Sequence, residues 1–489
     1  NHSPFLKTTR VHAAAALCIA SCMSAWAQQN PTEITITDKL PAQVSGFGSV
    51  SASELPFSTT TITSSTLQDI GAKRVSDALR LDASVSDSYN APAYWDMLSV
   101  RGFTLDNRYN YRREGLPISA ETMIPMDNKE RIELFKGTSG IQAGTSAPGG
   151  LANYVVKRPP NSAEAGQRSL TVSYGNGNNK LVALDVGGRY GENNAVGYRV
   201  NAAYEDLNPS VQNSQGHRKL LAVAMDWRIN ANTRLEWEFE SSQRQQMGVN
   251  AASITGNTLP SPVYGQNNFS KQSWSVPGVF DGLTGSVRLK QKLENGWLWT
   301  TQVGVQRLKS DDRLSYAYGC SAEGNYDRFC SDKTFDLYDY RSENERRNNE
   351  VIQTDLRGQH LIAGLEHNFK VSVMRQRQIN RMPGAHSDEL VGTTNSLNGG
   401  LIPATSANSR GGPMTDNSDY NTEIALNDRV RLSQKTTGWL GLRYTQLNRQ
   451  SVQTNNTAAV QDTRSINTPW VALSQQLNAN DTVYVSYGY

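Results

Sequence analysis

The chain has 489 residues, of which 37% are hydrophobic and only 19% charged, with a formal net charge of +3. So balanced a charge argues against a nucleic-acid partner. Beyond the N-terminus no segment approaches the roughly 18 consecutive apolar residues of a spanning helix, which leaves several soluble domains or one large membrane barrel with an accessory domain.

The first residues read as an export signal. Lys7, Arg10 and His12 precede the apolar "AAAALCIA", and Ala25-Trp26-Ala27 forms an A-x-A cleavage site, so residues 1–27 are expected to be removed. "IASC" at Ile19–Cys22 also resembles a lipoprotein box, which would instead leave Cys22 as an acylated N-terminus. Residues 28–55 are rich in Thr, Ser and Pro and are expected to be extended or mobile. Within them Glu33, Ile34, Thr35, Ile36 and Thr37 alternate as a short strand able to pair with another chain's sheet edge.

Residues 56–160 have a mixed α/β grammar of ordinary domain size. "STTTITS" predicts a strand. Ser65-Thr66-Leu67-Gln68 predicts a capping-box helix start with Gly71 at its end, and Ser76 the cap of a second helix. Strands are expected in "MLSVRGF", "ERIELFKG" and "LANYVVKRP". Between the last two lie Gly137, Gly140, Gly144, Gly149 and Gly150. A phosphate loop would need Lys and Ser/Thr where Gly150 and Leu151 stand, so these glycines are read as tight turns.

Residues 161–489 change to a period of two. In Arg234–Glu240 every charge falls on one face and every apolar group on the other, and the same holds for Leu221–Ile229 and Val287–Lys292. Thirteen strands are expected, the last being "TVYVSYGY". Short connections such as "GENNA", "NANT" and "SQKT" alternate with long ones at 208–216, 245–283, 314–332, 381–419 and 451–465. Trp227, Trp237, Trp297, Trp299 and Trp439 fall near the short-turn ends, as an aromatic girdle would. Short turns at one end and long loops at the other predict an antiparallel transmembrane β-barrel rather than a sandwich. Cys320 and Cys330, close together in an exported chain, predict a disulfide.

With a signal, a small α/β domain and a following barrel, the motifs become specific. "SVRGF" (Arg101, Gly102, Phe103), "EGLP", "ERIELFKG" (Glu130, Arg131) and "APGGLANYVVKRP" (Gly149, Gly150, Lys157, Arg158) resemble, in order and spacing, the plug domain of TonB-dependent outer-membrane siderophore receptors. The chain departs from the family's pattern at "YRREG", where Tyr-Leu-Asp-Gly is usual, and at "GIQAG". The resemblance implies a plug inside a 22-stranded barrel. It also implies Fe(III)-siderophore cargo captured at the extracellular mouth, TonB at the periplasmic side and outer-membrane lipid around the wall. It makes Glu33–Thr37 a TonB box, implies neither a cofactor nor a resident metal, and makes the chain a C-terminally truncated fragment.

Arg101, Glu130, Arg131, Glu133, Lys157 and Arg158 are expected to face lumen charges such as Glu236, Glu238, Arg288 and Lys290. Position alone suggests ligand contacts at the plug apex, from Tyr89, Tyr94, Trp95, Glu121 and Met123. Facing loops offer Trp274, Tyr316 and Tyr318, with Tyr264, Phe269, Phe280, Tyr326 and Phe329 nearby. Aromatic faces with scattered polar donors suit a neutral or hydroxamate-type chelate. The rival readings are a receptor for haem or another nutrient, with His217 and His386 near outer loops, a barrel enzyme, or an adhesin. Neither His-Glu-x-x-His nor Gly-x-Ser-x-Gly occurs, which speaks against the enzyme.

Overall fold

The computed structural model describes residues 54–488 apart from 90, 138–145, 147, 250–252, 260–267, 395–410, 479 and 480. The signal, Glu33–Thr37, Gly140, Gly144 and Tyr264 lie outside the described residues.

The first body is built on one five-stranded sheet. Its strands are β1 (Thr59–Thr63), β5 (Tyr111–Arg113), β6 (Leu116–Pro117), β7 (Lys129–Lys136) and β8 (Gly150–Val156), in the order β1-β7-β8-β5-β6. A smaller sheet joins β2 (Val85–Asp87), β3 (Leu98–Val100) and β4 (Phe103–Thr104). Alternation assigns the two faces of β7. Ile132 and Leu134 sink into a core with Leu67 of α1 (Ser64–Asp69), Val75 and Leu79 of α2 (Val75–Leu79), and Tyr154. Phe135 packs on the opposite side.

Both helix starts differ from expectation. Thr63, not Ser65, caps α1 by accepting from the Thr66 N–H, because the chain leaves β1 at Thr63. Gly71 then closes the helix in a left-handed conformation, φ +61°. Ser76 lies inside α2 and donates to Asp96 at 2.7 Å, while the Asp77 carboxylate accepts from the Lys73 and Arg74 backbones at 3.2 Å.

The motif turns have a plain geometry. Arg101 and Gly102 have φ of +52° and +84° between the paired Val100 and Phe103, a two-residue hairpin turn of the type that matches strand twist. Glu114 and Gly115 repeat it, with φ of +55° and +84° between Arg113 and Leu116. At Gly150 a Cβ would lie 2.1 Å from the Phe135 carbonyl, so only glycine allows β8 to approach β7 there.

The remainder is a fourteen-stranded sheet whose neighbours are all antiparallel. It starts with β9 (Gln167–Gly175), β10 (Asn179–Tyr190), β11 (Val196–Leu207), β12 (Gly216–Arg228), β13 (Thr233–Gln246), β14 (Gly278–Lys292) and β15 (Leu298–Ala317). It continues through β16 (Phe335–Ile362), β17 (Leu365–Arg381), β19 (Thr415–Arg431), β20 (Thr436–Gln453), β21 (Val460–Gln476) and β22 (Thr482–Gly488). These thirteen form a continuous wall, with β9 and β22 at its edges. The fourteenth, β18 (Ser387–Thr394), was not expected; it pairs with the upper part of β16, beyond the reach of β17.

Glu236, Glu238 and Glu240 are buried on the inner face of β13, whereas Phe239 on the other parity is exposed. Exposed Leu221, Val287, Val303, Ile352, Ile424 and Leu442 continue that apolar outer face around the wall, the inside-out distribution of a lipid-facing barrel. Among the described residues no helix is long and apolar enough to cross a membrane. Trp227 and Trp299 are exposed as girdle residues would be. Trp439 is not: it turns inward and packs with Trp470, Phe135 and Leu151, because its parity on β20 is opposite to that of the outward Leu440 and Leu442.

The small domain is tied to this wall by buried charge. Arg113 bonds Glu238 at 2.6 Å and Glu240 at 2.7 Å, and Lys129 bonds Glu240 at 2.8 Å. Lys157 pairs with Asp185, Asp127 with Arg218 and Lys73 with Glu205. Part of the expectation holds, since Lys157, Glu238 and Arg288 do pair between domain and wall, and the rest is corrected. Arg101 and Glu130 are exposed, Arg131 pairs with Glu133 inside the domain, and Glu236 pairs with Arg288 and Lys290 within the wall. Removing one member of a buried pair leaves a charge in a dry site. Arg113→Met should therefore destabilise the folded protein by about 3–5 kcal/mol, read as a lower melting temperature by circular dichroism in detergent. An unchanged melting temperature would refute the pairing.

Candidate ligand-binding site

Two segments of the small domain rise toward the long-loop end of the wall. The segment between β2 and β3 carries Tyr89, Tyr94 and Trp95, and the one after β6 carries Glu121 and Met123. Tyr94 and Trp95 lie with ring centroids 3.9 Å apart, and Phe280 of β14 meets their edges at 5.8 and 5.6 Å. The Tyr94 hydroxyl donates to Asp312 of β15 at 3.1 Å, and Tyr89 stands 5.4 Å away, half exposed. The Arg347 guanidinium of β16 lies 5.3 Å over the Trp95 ring, within cation–π range, and pairs with Glu121 and Glu345. Met123 is half-buried in the same segment.

Above this cluster the wall continues as a small three-stranded extension of β15, β16 and β18. Asp312 and Tyr316 share one parity on β15, Tyr318 follows immediately past its end, and Tyr338 and Tyr340 share one parity on β16. Tyr316 stacks on its cross-strand neighbour Tyr338 at 5.4 Å and donates to the Asp388 carboxylate at 2.9 Å. Tyr318 is 6.3 Å from both rings, and His386 stands 5.7 Å from Tyr340. One face is therefore a ladder of tyrosines continuing from the Tyr94–Trp95 apex.

The opposite parity builds the support. Phe269, Phe329, Phe335 and Leu337 form a buried core against which Trp274 and Ala317 pack. Cys320 and Cys330, bridged with Cα atoms 5.1 Å apart, lie at the edge of that core and are themselves buried. Trp274, Phe269 and Phe329 thus belong to loop packing and not to the tyrosine face, while Tyr326 is exposed on the clamped loop. Among the described residues one group of His, Cys, Asp and Glu has metal-ligand proximity, Cys320, Glu323 and Cys330, and the disulfide consumes both of its thiols. His217 stacks on Tyr204 of the wall.

Asp312, Arg347, Tyr338, Tyr340 and Asp388 went unnoticed in the sequence. Tyr338 and Tyr340 were the findable ones, since "LYDY" at a strand's period puts both on one face. Arg347 lies inside the polar run "ENERRNNE", where nothing distinguishes it from its neighbours.

Arg101, Gly102, Gly149 and Gly150 shape the domain, Phe103 is exposed, Lys157 docks it to Asp185 of the wall and Arg158 pairs with Glu114 inside it. Glu114, the departure from Asp-Gly, accepts from the Val156 N–H at 2.7 Å and pairs with Arg158 at 2.9 Å and Arg288 of the wall at 3.1 Å. Burial raises its carboxyl, but the Arg158 and Arg288 guanidiniums outweigh that and hold it well below the usual carboxylate range.

Residues 51–151 match the family model of the TonB-dependent Receptor Plug Domain. The chain is 25% identical over 264 residues to the ferrichrome receptor FcuA of Yersinia enterocolitica, covering 53% of this chain and 34% of that protein. It is 27% identical over 190 residues to the ferrioxamine B receptor of Salmonella typhimurium, covering 37% and 27%. Among solved structures, the open form of the ferric-catecholate import receptor Fiu of Escherichia coli K12 matches with a TM-score of 0.76 at 17% identity, over 90% of this chain and 70% of that one. The ferric preacinetobactin receptor BauA of Acinetobacter baumannii matches at 0.74 and 17%, over 89% and 64%. The chain spans about a third of the length of the curated relatives it matches.

The disulfide loop should hold its aromatic core closed. Replacing both cysteines by serine is expected to speed proteolytic nicking within 321–334 at least about fivefold while leaving the wall resistant, since loop tips are the preferred sites of nicking. Equal nicking rates on a gel time course would count against that role.

Proposed function

We propose that this chain, a member of the TonB-dependent siderophore receptors of the outer membrane, binds an iron–siderophore at its extracellular mouth. TonB, engaging Glu33–Thr37 from the periplasm, drives import by moving the plug. The observation that carries this reading is the Tyr94–Trp95–Phe280 cluster under the Arg347 guanidinium, at the open end of a plugged wall. Trp95, Phe280 and Arg347 are buried and form the site's base, the half-exposed Tyr89 and Tyr318 above them offer aromatic area to a bulky chelate, and Tyr316, Tyr338 and Asp388 supply directional polar contacts. This is binding and transport, without a chemical step at the protein. Because matched relatives are named for ferrichrome and ferrioxamine B, those two complexes are the first to test.

The test is uptake and surface binding of radiolabelled iron presented as ferrichrome, ferrioxamine B, a pyoverdine or a catecholate complex, in cells lacking other receptors. At least one complex should bind with a Kd of about 1 µM or tighter. Trp95→Ala should weaken that binding about tenfold or more. Deleting Glu33–Thr37 should abolish uptake and leave binding within about twofold. Unimpaired uptake by the deletion would remove the TonB-box assignment, and no binding of any complex would remove the siderophore reading.

A further inference from the structure

The tyrosine face of the mouth carries negative charge that the protein leaves unmatched. Two carboxylates share it, Asp312 of β15 and Asp388 of β18. Neither forms an ion pair among the described residues. Each accepts a tyrosine hydroxyl instead, Asp312 from Tyr94 at 3.1 Å and Asp388 from Tyr316 at 2.9 and 3.1 Å. The cations nearby are already matched. Arg347, which also acts on Asp312 at longer range, pairs with Glu121 and Glu345, Arg341 with Asp339, and Arg313 with Glu343. Asp312, Asp388, Glu121 and Glu345 thus set four carboxylates against the one guanidinium of Arg347.

The rings beside Asp388 add to the same sign. Tyr316 and Tyr338 lie 5.4 Å apart and 22° from parallel, and Tyr318 flanks the stack, 6.3 Å from both. Tyr340 is the cross-strand neighbour of Asp388, so carboxylate and rings occupy adjoining rows of the β15–β16–β18 extension. Tyr318 is half exposed, while Tyr316, Tyr338 and Asp388 are half-buried, so the group is reachable from the mouth. Aromatic faces are electron-rich, and rings grouped with a carboxylate recognise organic ammonium ions. An ammonium placed here meets a carboxylate with its charge and rings with its alkyl stem. A bare metal ion finds too few oxygens, since hard cations take about six or more.

We infer that the tyrosine face is a cation subsite, which selects a ferric chelate bearing an ammonium group apart from its iron-binding donors. The cation sits against Asp388, over the Tyr316–Tyr338 stack and beside Tyr318, and Asp312 extends the negative field toward the plug apex. Neutral chelates lack this contact, and anionic ones are repelled. The inference deepens the siderophore reading and rests on it for the cargo.

Purified full receptor is titrated in detergent with ferrioxamine B, whose iron complex carries one free ammonium, and with its N-acetyl derivative, which lacks that charge. Affinities are read by tryptophan quenching. Ferrioxamine B should bind about tenfold more tightly than the acetylated complex, and a preference below about threefold would overturn the subsite. In Asp388→Asn the preference should fall below about threefold, whereas Asp388→Glu should keep it. The ratio is the readout, so a general loss of affinity or folding does not imitate the effect. An undiminished preference in the double variant Asp312→Asn, Asp388→Asn would also overturn the assignment. If neither complex binds, saturation-transfer NMR with 1,5-diaminopentane and its diacetyl derivative decides the subsite. Saturation of the diamine alone, lost in Asp388→Asn, would uphold it, and equal or absent saturation would overturn it. Failure of every ferric chelate to bind would separately strike the siderophore reading.

Discussion

A charge carried into the lumen of a membrane barrel must meet its opposite there, and this requirement governs how the plug sits. Arg113 and Lys129 converge on Glu238 and Glu240, with every member nearly or wholly buried. Buried pairs of this kind add little net stability over apolar packing, but they penalise every other docking in which a charge is left alone. The plug is therefore fixed in rotation and depth by electrostatic exclusion of alternatives. The alternation of β13, which aims three glutamates inward at successive lumen positions, is the strand-level cause.

That constraint also explains the hairpin turn at Glu114. Aspartate before glycine suits such a turn best, and glutamate in a left-handed conformation is the less comfortable choice. The longer side chain reaches the Val156 N–H, Arg158 and Arg288 together, closing β8 onto the turn and the turn onto the wall. A local backbone preference has yielded to a contact between domains. The mouth above is organised differently, by aromatic area on one face of the β15–β16–β18 extension and a disulfide-edged aromatic core on the other. Two faces of the same strands thus serve contact and support.

Much of this was legible in the residues because a strand's period is two. Alternation in Arg234–Glu240 and Leu221–Ile229 exposed the wall, and thirteen strands were countable from turns and loops. What alternation does not reveal is which parity faces in. Trp439 lay near a short turn like the girdle tryptophans, yet its parity carries it to the plug floor. The acidic "SDELVGTT" of β18 has too weak a pattern to read as a strand, and it is one because β16 overreaches β17 and leaves an edge to be paired. The charge partners of Arg113 and Lys129 are 111 to 127 residues away, and side-chain chemistry alone does not rank Glu238 above Glu236. Both helix caps were misplaced by two residues, and for α1 the reason is related, since the end of β1, not the helix residues, decides where the turn begins.

The inward turn of Trp439 has an optical consequence. Its indole and that of Trp470, 6.4 Å apart, are shielded by Phe135 and Leu151 of the plug, whereas Trp227 and Trp299 look outward from the wall. Indole emission shifts to the red when water reaches the ring. The protein thus carries its own fluorophores at the floor of the plug, against a background of Trp227 and Trp299 on the outer face and Trp95 at the plug's other end. A red shift on pulling the plug would report its departure from this floor without any added label, and its timing relative to cargo release would order the two events.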